Sequence, residues 1–152
     1  MENKISREAI HLVDSHCDSR EQFFKITSEY IGKQLNINPD SVYKGFELRE
    51  SESCTAIGSG FAIPHAILKD VNDSHVFLHL VDKGIEYGAY DNEPVTVAFS
   101  LIIAEDNYNE RHLREISSIA RSLMNEDTQK TLKTERNIDI LVKLVNEMGD
   151  NL

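Results

Sequence analysis

The sequence predicts an α/β fold, a three-layer sandwich in which a mixed β-sheet of about five strands is flanked by helices on both faces. Three observations lead there. Residues 76–81 and 95–103 are almost continuously apolar and rich in β-branched and aromatic side chains, the pattern of strands covered on two sides. Helical periodicity occupies the chain before and after that block. At 152 residues the chain is long enough for one core and too short for two ordinary domains, so residues 1–152 are expected to form a single domain.

The elements follow in chain order. Residues 9–13, Ala-Ile-His-Leu-Val, make a short β-prone run. Ser19 with Gln22 three residues on is a capping-box pattern, and behind it Phe23, Phe24, Thr27, Ile31 and Leu35 recur at helical spacing. Residues 36–39 read as a break, with Pro39 at the first position of a second helix whose buried side is Val42, Tyr43 and Phe46. From 51 to 60 the periodicity disappears and Ser, Thr and Gly dominate, which predicts a functional loop running into Phe61-Ala62-Ile63-Pro64-His65. Pro94 fits a strand start. After Ala104, one helical stripe runs through Leu113, Ile116, Ala120 and Leu123, and another through Ile138, Leu141, Leu144, Val145 and Met148. There is no internal repeat.

Composition removes whole classes of function. With 40% hydrophobic and 28% charged residues the chain is globular in character, not a disordered tail. A formal net charge of -10 with no continuous basic run argues against a nucleic-acid partner. The N-terminus has charges of both signs and no apolar core, and no later segment reaches the roughly 18 apolar residues of a membrane span, so a cytoplasmic location without membrane insertion is expected. Cys17 and Cys54 are expected to be free thiols, Cys54 as a small loop residue. His75 and His79 have the spacing of a helical metal pair. On a predicted strand, however, four residues span about 13 Å, and no metal or other cofactor is expected. His11 and His16 carry no motif.

Chemistry concentrates between Thr55 and His65. Small residues there leave backbone N–H groups open for an anion, Gly58 and Gly60 tolerate positive φ, and Pro64 stiffens the approach to the imidazole. Thr55, Gly58, Ser59 and Gly60 are therefore the candidate phosphate-binding loop. On spacing alone His65 reads by default as a hydrogen-bonded structural histidine after a turn, and the loop fits a small-molecule binding domain as well.

The stretch from Arg49-Glu50 through Thr55, Ile57-Gly58, Gly60 and Ala62-Ile63-Pro64-His65 resembles the signature of fructose/mannitol-type enzyme IIA domains of the bacterial phosphotransferase system, the nitrogen-regulatory members included. The resemblance continues in Lys83-Gly84-Ile85-Glu86-Tyr87, Asp91-Asn92-Glu93-Pro94-Val95 and His112-Leu113, and is strongest over residues 20–148. The chain departs from the pattern at Ala56, Ser59 and Phe61. The resemblance implies a phosphotransferase component in which His65 accepts the phosphoryl group on its tele nitrogen, Nε2. Arg49, otherwise a solvated surface arginine, would reach the phosphoryl oxygens, and His112 would be the second active-site histidine in the first turn of a helix. Phospho-HPr would be the donor and a cysteine of enzyme IIB the acceptor, serving a membrane enzyme IIC in sugar or polyol uptake. The alternative is a regulatory phosphoprotein of the nitrogen-related branch, whose phosphorylation controls binding to regulatory proteins. A neutral imidazole is a competent nucleophile at cytosolic pH, and donors around the equatorial phosphoryl oxygens supply most of the catalysis, so this chemistry requires no metal. Sugar identity is not legible, because it belongs to the membrane component.

Overall fold

The computed structural model describes residues 5–107 and 110–150, with the side chains at 107, 110–113, 115, 149 and 150 outside the described set. Its elements are β1 (Ile10–Leu12), α1 (Arg20–Leu35), α2 (Pro39–Glu52), β2 (Ala56–Gly58), β3 (Phe61–Ala62), β4 (His65–Leu68), β5 (His75–Ile85), β6 (Val95–Ala104), α3 (Glu110–Ser122), α4 (Glu126–Thr134) and α5 (Ile138–Asp150). One-turn 3-10 segments lie at Arg7–Ala9 and Glu105–Asn107.

The helix signals act locally as expected. Ser19 accepts the Gln22 N–H at 3.2 Å, and Gln22 reaches back to the Asp18 N–H at 3.1 Å, one residue earlier than the usual reciprocal box. Asn36 ends α1 in the left-handed region at φ 55°, and Asn38 caps α2 by accepting the Asp40 N–H, with Pro39 behind it.

The sheet has the order β1-β5-β6-β3-β2, with β4 also paired to β6. β5 and β6 are antiparallel, whereas β1 runs parallel to β5, and β3 and β4 run parallel to β6, so the sheet is mixed. Strand alternation then sorts two cores. Ala98 and Ile102 of β6 pack with Phe23, Phe24, Val42 and Phe46 of α1 and α2. Val97, Phe99, Leu101 and Ile103 pack with Ile119, Leu132, Leu141 and Val145 of α3, α4 and α5. This is the expected three-layer architecture, with six strands where about five are predicted.

Of the strands beyond the two long apolar runs, β1 lies in the β-prone run 9–13, β2 inside the segment 51–60 expected to be loop, and β3 and β4 directly after it. Residues 51 and 52 still belong to α2, and β2 and β3 form a hairpin in which Gly58 faces Phe61 across a two-residue turn. Ser59 and Gly60 at that turn have φ 58° and 88°, the doubly positive pair that matches strand twist and that glycine adopts without strain. Strands of two or three residues carry no readable period. Pairing to β6, remote in sequence, makes β3 a strand, and β2 pairs in turn with β3.

β3 and β4 occupy one edge of β6 in constant register, Phe61 opposite Val97 and His65 opposite Leu101. Between them Pro64 has no N–H to donate. The Ile63 N–H turns away to the Thr55 carbonyl at 2.9 Å, while the Pro64 carbonyl accepts the Leu101 N–H. The chain is thus held on both sides immediately before His65.

Helix α2 lies on β4 through Gly45, where a Cβ would stand 2.7 Å from Ala66 Cβ and 3.1 Å from Leu68 Cδ2. Arg49 follows one turn later on the same face. In an open helix, Gly→Ala stabilises by about 1 kcal/mol. Here Gly45→Ala is expected to destabilise by about 1–3 kcal/mol, as overpacking does, and to lift Arg49 off the sheet edge. Urea denaturation checks the sign: a higher midpoint in the variant would overturn this account of the glycine.

Candidate active site around His65

His65 begins β4 and is partly buried. Its Nδ1 lies 3.1 Å from the Ile63 carbonyl oxygen, which can only accept, so Nδ1 carries the proton. Nε2 is then the atom with the free electron pair, and Arg49 donates its Nε–H to it at 2.8 Å. Burial holds the His65 imidazole below its ordinary pKa; the Ile63 carbonyl works in the opposite direction, and the Arg49 cation lowers it again. The outcome is a neutral ring with its nucleophilic nitrogen facing a guanidinium.

Arg49 stands in the last turn of α2, where a cation is favoured by the helix dipole. Its Nη1 donates to the Ser53 carbonyl at 2.9 Å and to Ser53 Oγ at 3.2 Å, anchoring the head while Nε faces His65. Five donors in a fixed fork allow one group to hold the helix end and the imidazole together.

The other predicted residues divide. Thr55 is buried, and its hydroxyl is engaged by Glu50 and Tyr87, each at 2.6 Å. The hairpin turn is not brought to His65. Phe61 and His65 face positions four residues apart on β6, about 13 Å along the strand. The Ser59 N–H donates to Asp91 Oδ2 at 2.8 Å, a Cβ on Gly58 would meet the Tyr90 hydroxyl at 2.8 Å, and the Gly60 carbonyl accepts from Thr96 and Val97. These contacts give Gly58, Ser59 and Gly60 structural partners at a distance from the imidazole. His112 is the third residue of α3, which follows β6 through a short 3-10 segment; its side chain lies outside the described residues. Cys54 is exposed, with its thiol pKa pushed up mainly by desolvation, and Cys17 is buried. His79, considered above with His75 as a metal pair, instead meets His11 of β1, Nδ1 to Nδ1 at 2.9 Å.

Glu50 is the residue that motif reading left without a role. Its side chain is only 4% exposed, and it accepts the Thr55 N–H at 2.8 Å, the Thr55 hydroxyl, and the Tyr87 hydroxyl at 3.2 Å. A carboxylate in the last turn of a helix opposes the dipole, and that is the sequence signal that marks it.

Among the described residues, no helix is long and apolar enough to cross a membrane. Over 138 residues the chain is 31% identical to a nitrogen regulatory protein of Klebsiella oxytoca, spanning 90% of this chain and 84% of that protein. It is 29% identical over 140 residues to the fructose-specific EIIABC component of Bacillus subtilis, covering 90% of this chain and 22% of that longer protein. The fold superposes with a TM-score of 0.84 on the nitrogen regulatory protein IIA-Ntr of Neisseria meningitidis at 21% identity, covering 92% and 94% of the two chains. Residues 3–148 match the family described as phosphoenolpyruvate-dependent sugar phosphotransferase system, EIIA 2, and with a mixed sheet of the IIA type carrying His65 at its edge, the chain belongs to that family.

Proposed function

We propose that this protein is a cytoplasmic, single-domain phosphoryl carrier that accepts phosphate from phospho-HPr on His65 Nε2 and passes it to a cysteine of enzyme IIB, the cytosolic partner of a membrane enzyme IIC. The observation that carries the reading is the paired state of the two ring nitrogens: Nδ1–H on the Ile63 carbonyl and Nε2 free of a proton beside Arg49.

In the forward step His65 Nε2 attacks the phosphorus of the donor phosphohistidine. One N–P bond forms as the donor's N–P bond breaks, and the donor imidazole leaves with its electron pair. The proton stays on Nδ1, and its hydrogen bond to the Ile63 carbonyl stabilises the ring as it gains positive character. Arg49 loses its acceptor at Nε2 and turns its N–H to a phosphoryl oxygen, where charge is spread over three equatorial positions. His112, at the start of α3, is the second histidine that the family resemblance assigns to the reaction.

Incubation with phosphorylated HPr is expected to leave one acid-labile phosphate on the protein. No labelling would overturn the proposal. A second reading, regulation by phosphorylation-dependent protein binding, is favoured by the likeness to nitrogen regulatory proteins. The two share the first step and separate at the next. Label passing to a IIB cysteine supports transport, whereas label retained on His65 together with a phosphorylation-sensitive protein partner supports regulation.

A further inference from the structure

The adjacent residues at the end of α2 act on opposite nitrogens of the same imidazole. Arg49 touches Nε2 directly. Glu50 is linked to Nδ1 through a chain of hydrogen bonds. Its Oε2 accepts the Thr55 N–H at 2.8 Å and its Oε1 accepts the Thr55 hydroxyl at 2.6 Å. The Thr55 carbonyl accepts the Ile63 N–H at 2.9 Å, and the Ile63 carbonyl faces His65 Nδ1 at 3.1 Å. Tyr87 closes the outer side. Its hydroxyl lies 2.6 Å from Thr55 Oγ1 and 3.2 Å from Glu50 Oε1, and burial first, then Glu50, raise its pKa well above the ordinary value, so it remains a donor. Arg20 sits over this group, donating to the Tyr87 carbonyl at 2.9 Å with its Nη1 3.9 Å from Glu50.

We infer that Glu50 is a positioning residue that sets the tautomer of His65, acting through Thr55 and the Ile63 peptide, and that Thr55 belongs to this relay instead of contacting phosphate. The Thr55 hydroxyl has one proton, which goes to Glu50, and its oxygen receives the Tyr87 proton, so nothing is left to offer an anion. A buried carboxylate that gathers both Thr55 donors stays in place only while those donors do. Its rigidity is passed to the Ile63 peptide because Ile63 precedes Pro64 and is confined to extended backbone. Orientation of a reactive imidazole by the partner of its other nitrogen is the general device by which such rings present one lone pair.

The kinetic part of this inference rests on His65 being the phosphoryl acceptor; the tautomer part does not. In ¹⁵N-labelled protein, long-range ¹H–¹⁵N correlation should find His65 as the Nδ1–H form in wild type. Glu50→Ala and the near-isosteric Thr55→Val should each turn it into a mixture of tautomers and speed hydrogen exchange at the Ile63 amide. Phosphoryl uptake should slow by about tenfold or more, as a misplaced reactive group does, with the phosphate still on His65. Tautomer and Ile63 exchange matching wild type in either folded variant would overturn the inference, and if Glu50→Ala does not fold, Thr55→Val decides. Wild-type protein that refuses phosphate while its variants change tautomer would count against the carrier function alone.

Discussion

Replacing His65 by alanine is expected to abolish phosphoryl uptake, with labelling from phospho-HPr falling below detection. The effect should be total because the variant removes the atom that forms the N–P bond, and the other imidazoles near the core are poorly placed to substitute. His79 is fully buried with its Nδ1 committed to His11, and His11 is itself 9% exposed. Arg49→Ala makes the informative contrast. It keeps the acceptor and the Ile63 contact but removes the cation facing Nε2, so labelling should persist on His65 at a rate lower by about 10²–10³-fold, the usual cost of losing one charge-stabilising donor. Quenched time courses with phospho-HPr measure both. Equal labelling of His65→Ala and wild type would remove His65 from the mechanism.

Acidification is expected to destabilise the fold well before carboxylates titrate, because His11 and His79 are buried against one another. His79 is fully buried, flanked by Phe23 and Phe77, and its Nε2 has no partner among the described residues. An unpaired lone pair costs less than an unpaired N–H, so the proton of this pair sits on His79 Nδ1 and is donated to His11 Nδ1. Tyr30 stacks on His11 at 3.9 Å between ring centroids, and Asp14 is the one carboxylate that opposes the shift of His11. Burial takes His11 down to about 4; burial, then His11, takes His79 well below its ordinary value.

In the unfolded chain both rings titrate near 6.5, so between about pH 6.5 and 4 the unfolded state binds protons that the folded state refuses. Stability therefore falls with falling pH across that window, by about 1.4 kcal/mol per pH unit for each fully excluded histidine, or about 3 kcal/mol for His11 over the whole span. Urea midpoints taken from pH 7 to pH 4 should show this slope. His79→Leu, which suits the apolar surroundings, should flatten it by removing one titrating ring, and an unaltered slope would sink the assignment.

Much of the architecture was written in local pattern. Two long apolar runs, rich in β-branched and aromatic residues, read as strands covered on both sides, and Ser19, Pro39 and the apolar stripes marked helices that the structure contains. The glycine-rich segment was legible as a special backbone but not as a hairpin, because strands of two and three residues have no period and exist only through pairing, β3 with β6 and β2 with β3. For the same reason the turn amides, near His65 in sequence, lie beyond Phe61, which itself stands about 13 Å along the strand from His65.

By itself, the sequence determined which residue types were available for phosphoryl chemistry, the class of fold, and the motif in which Arg49 and His65 stand sixteen positions apart. Tertiary structure alone decided which nitrogen of His65 is free. That depends on a carbonyl held by a strand edge, a helix allowed close to β4 by the absence of a Cβ at Gly45, and a buried Glu50 whose partners, Thr55 and Tyr87, come from separate segments. Hydrogen-bond direction at an imidazole is set by neighbours in space, and those neighbours have no fixed spacing in the chain.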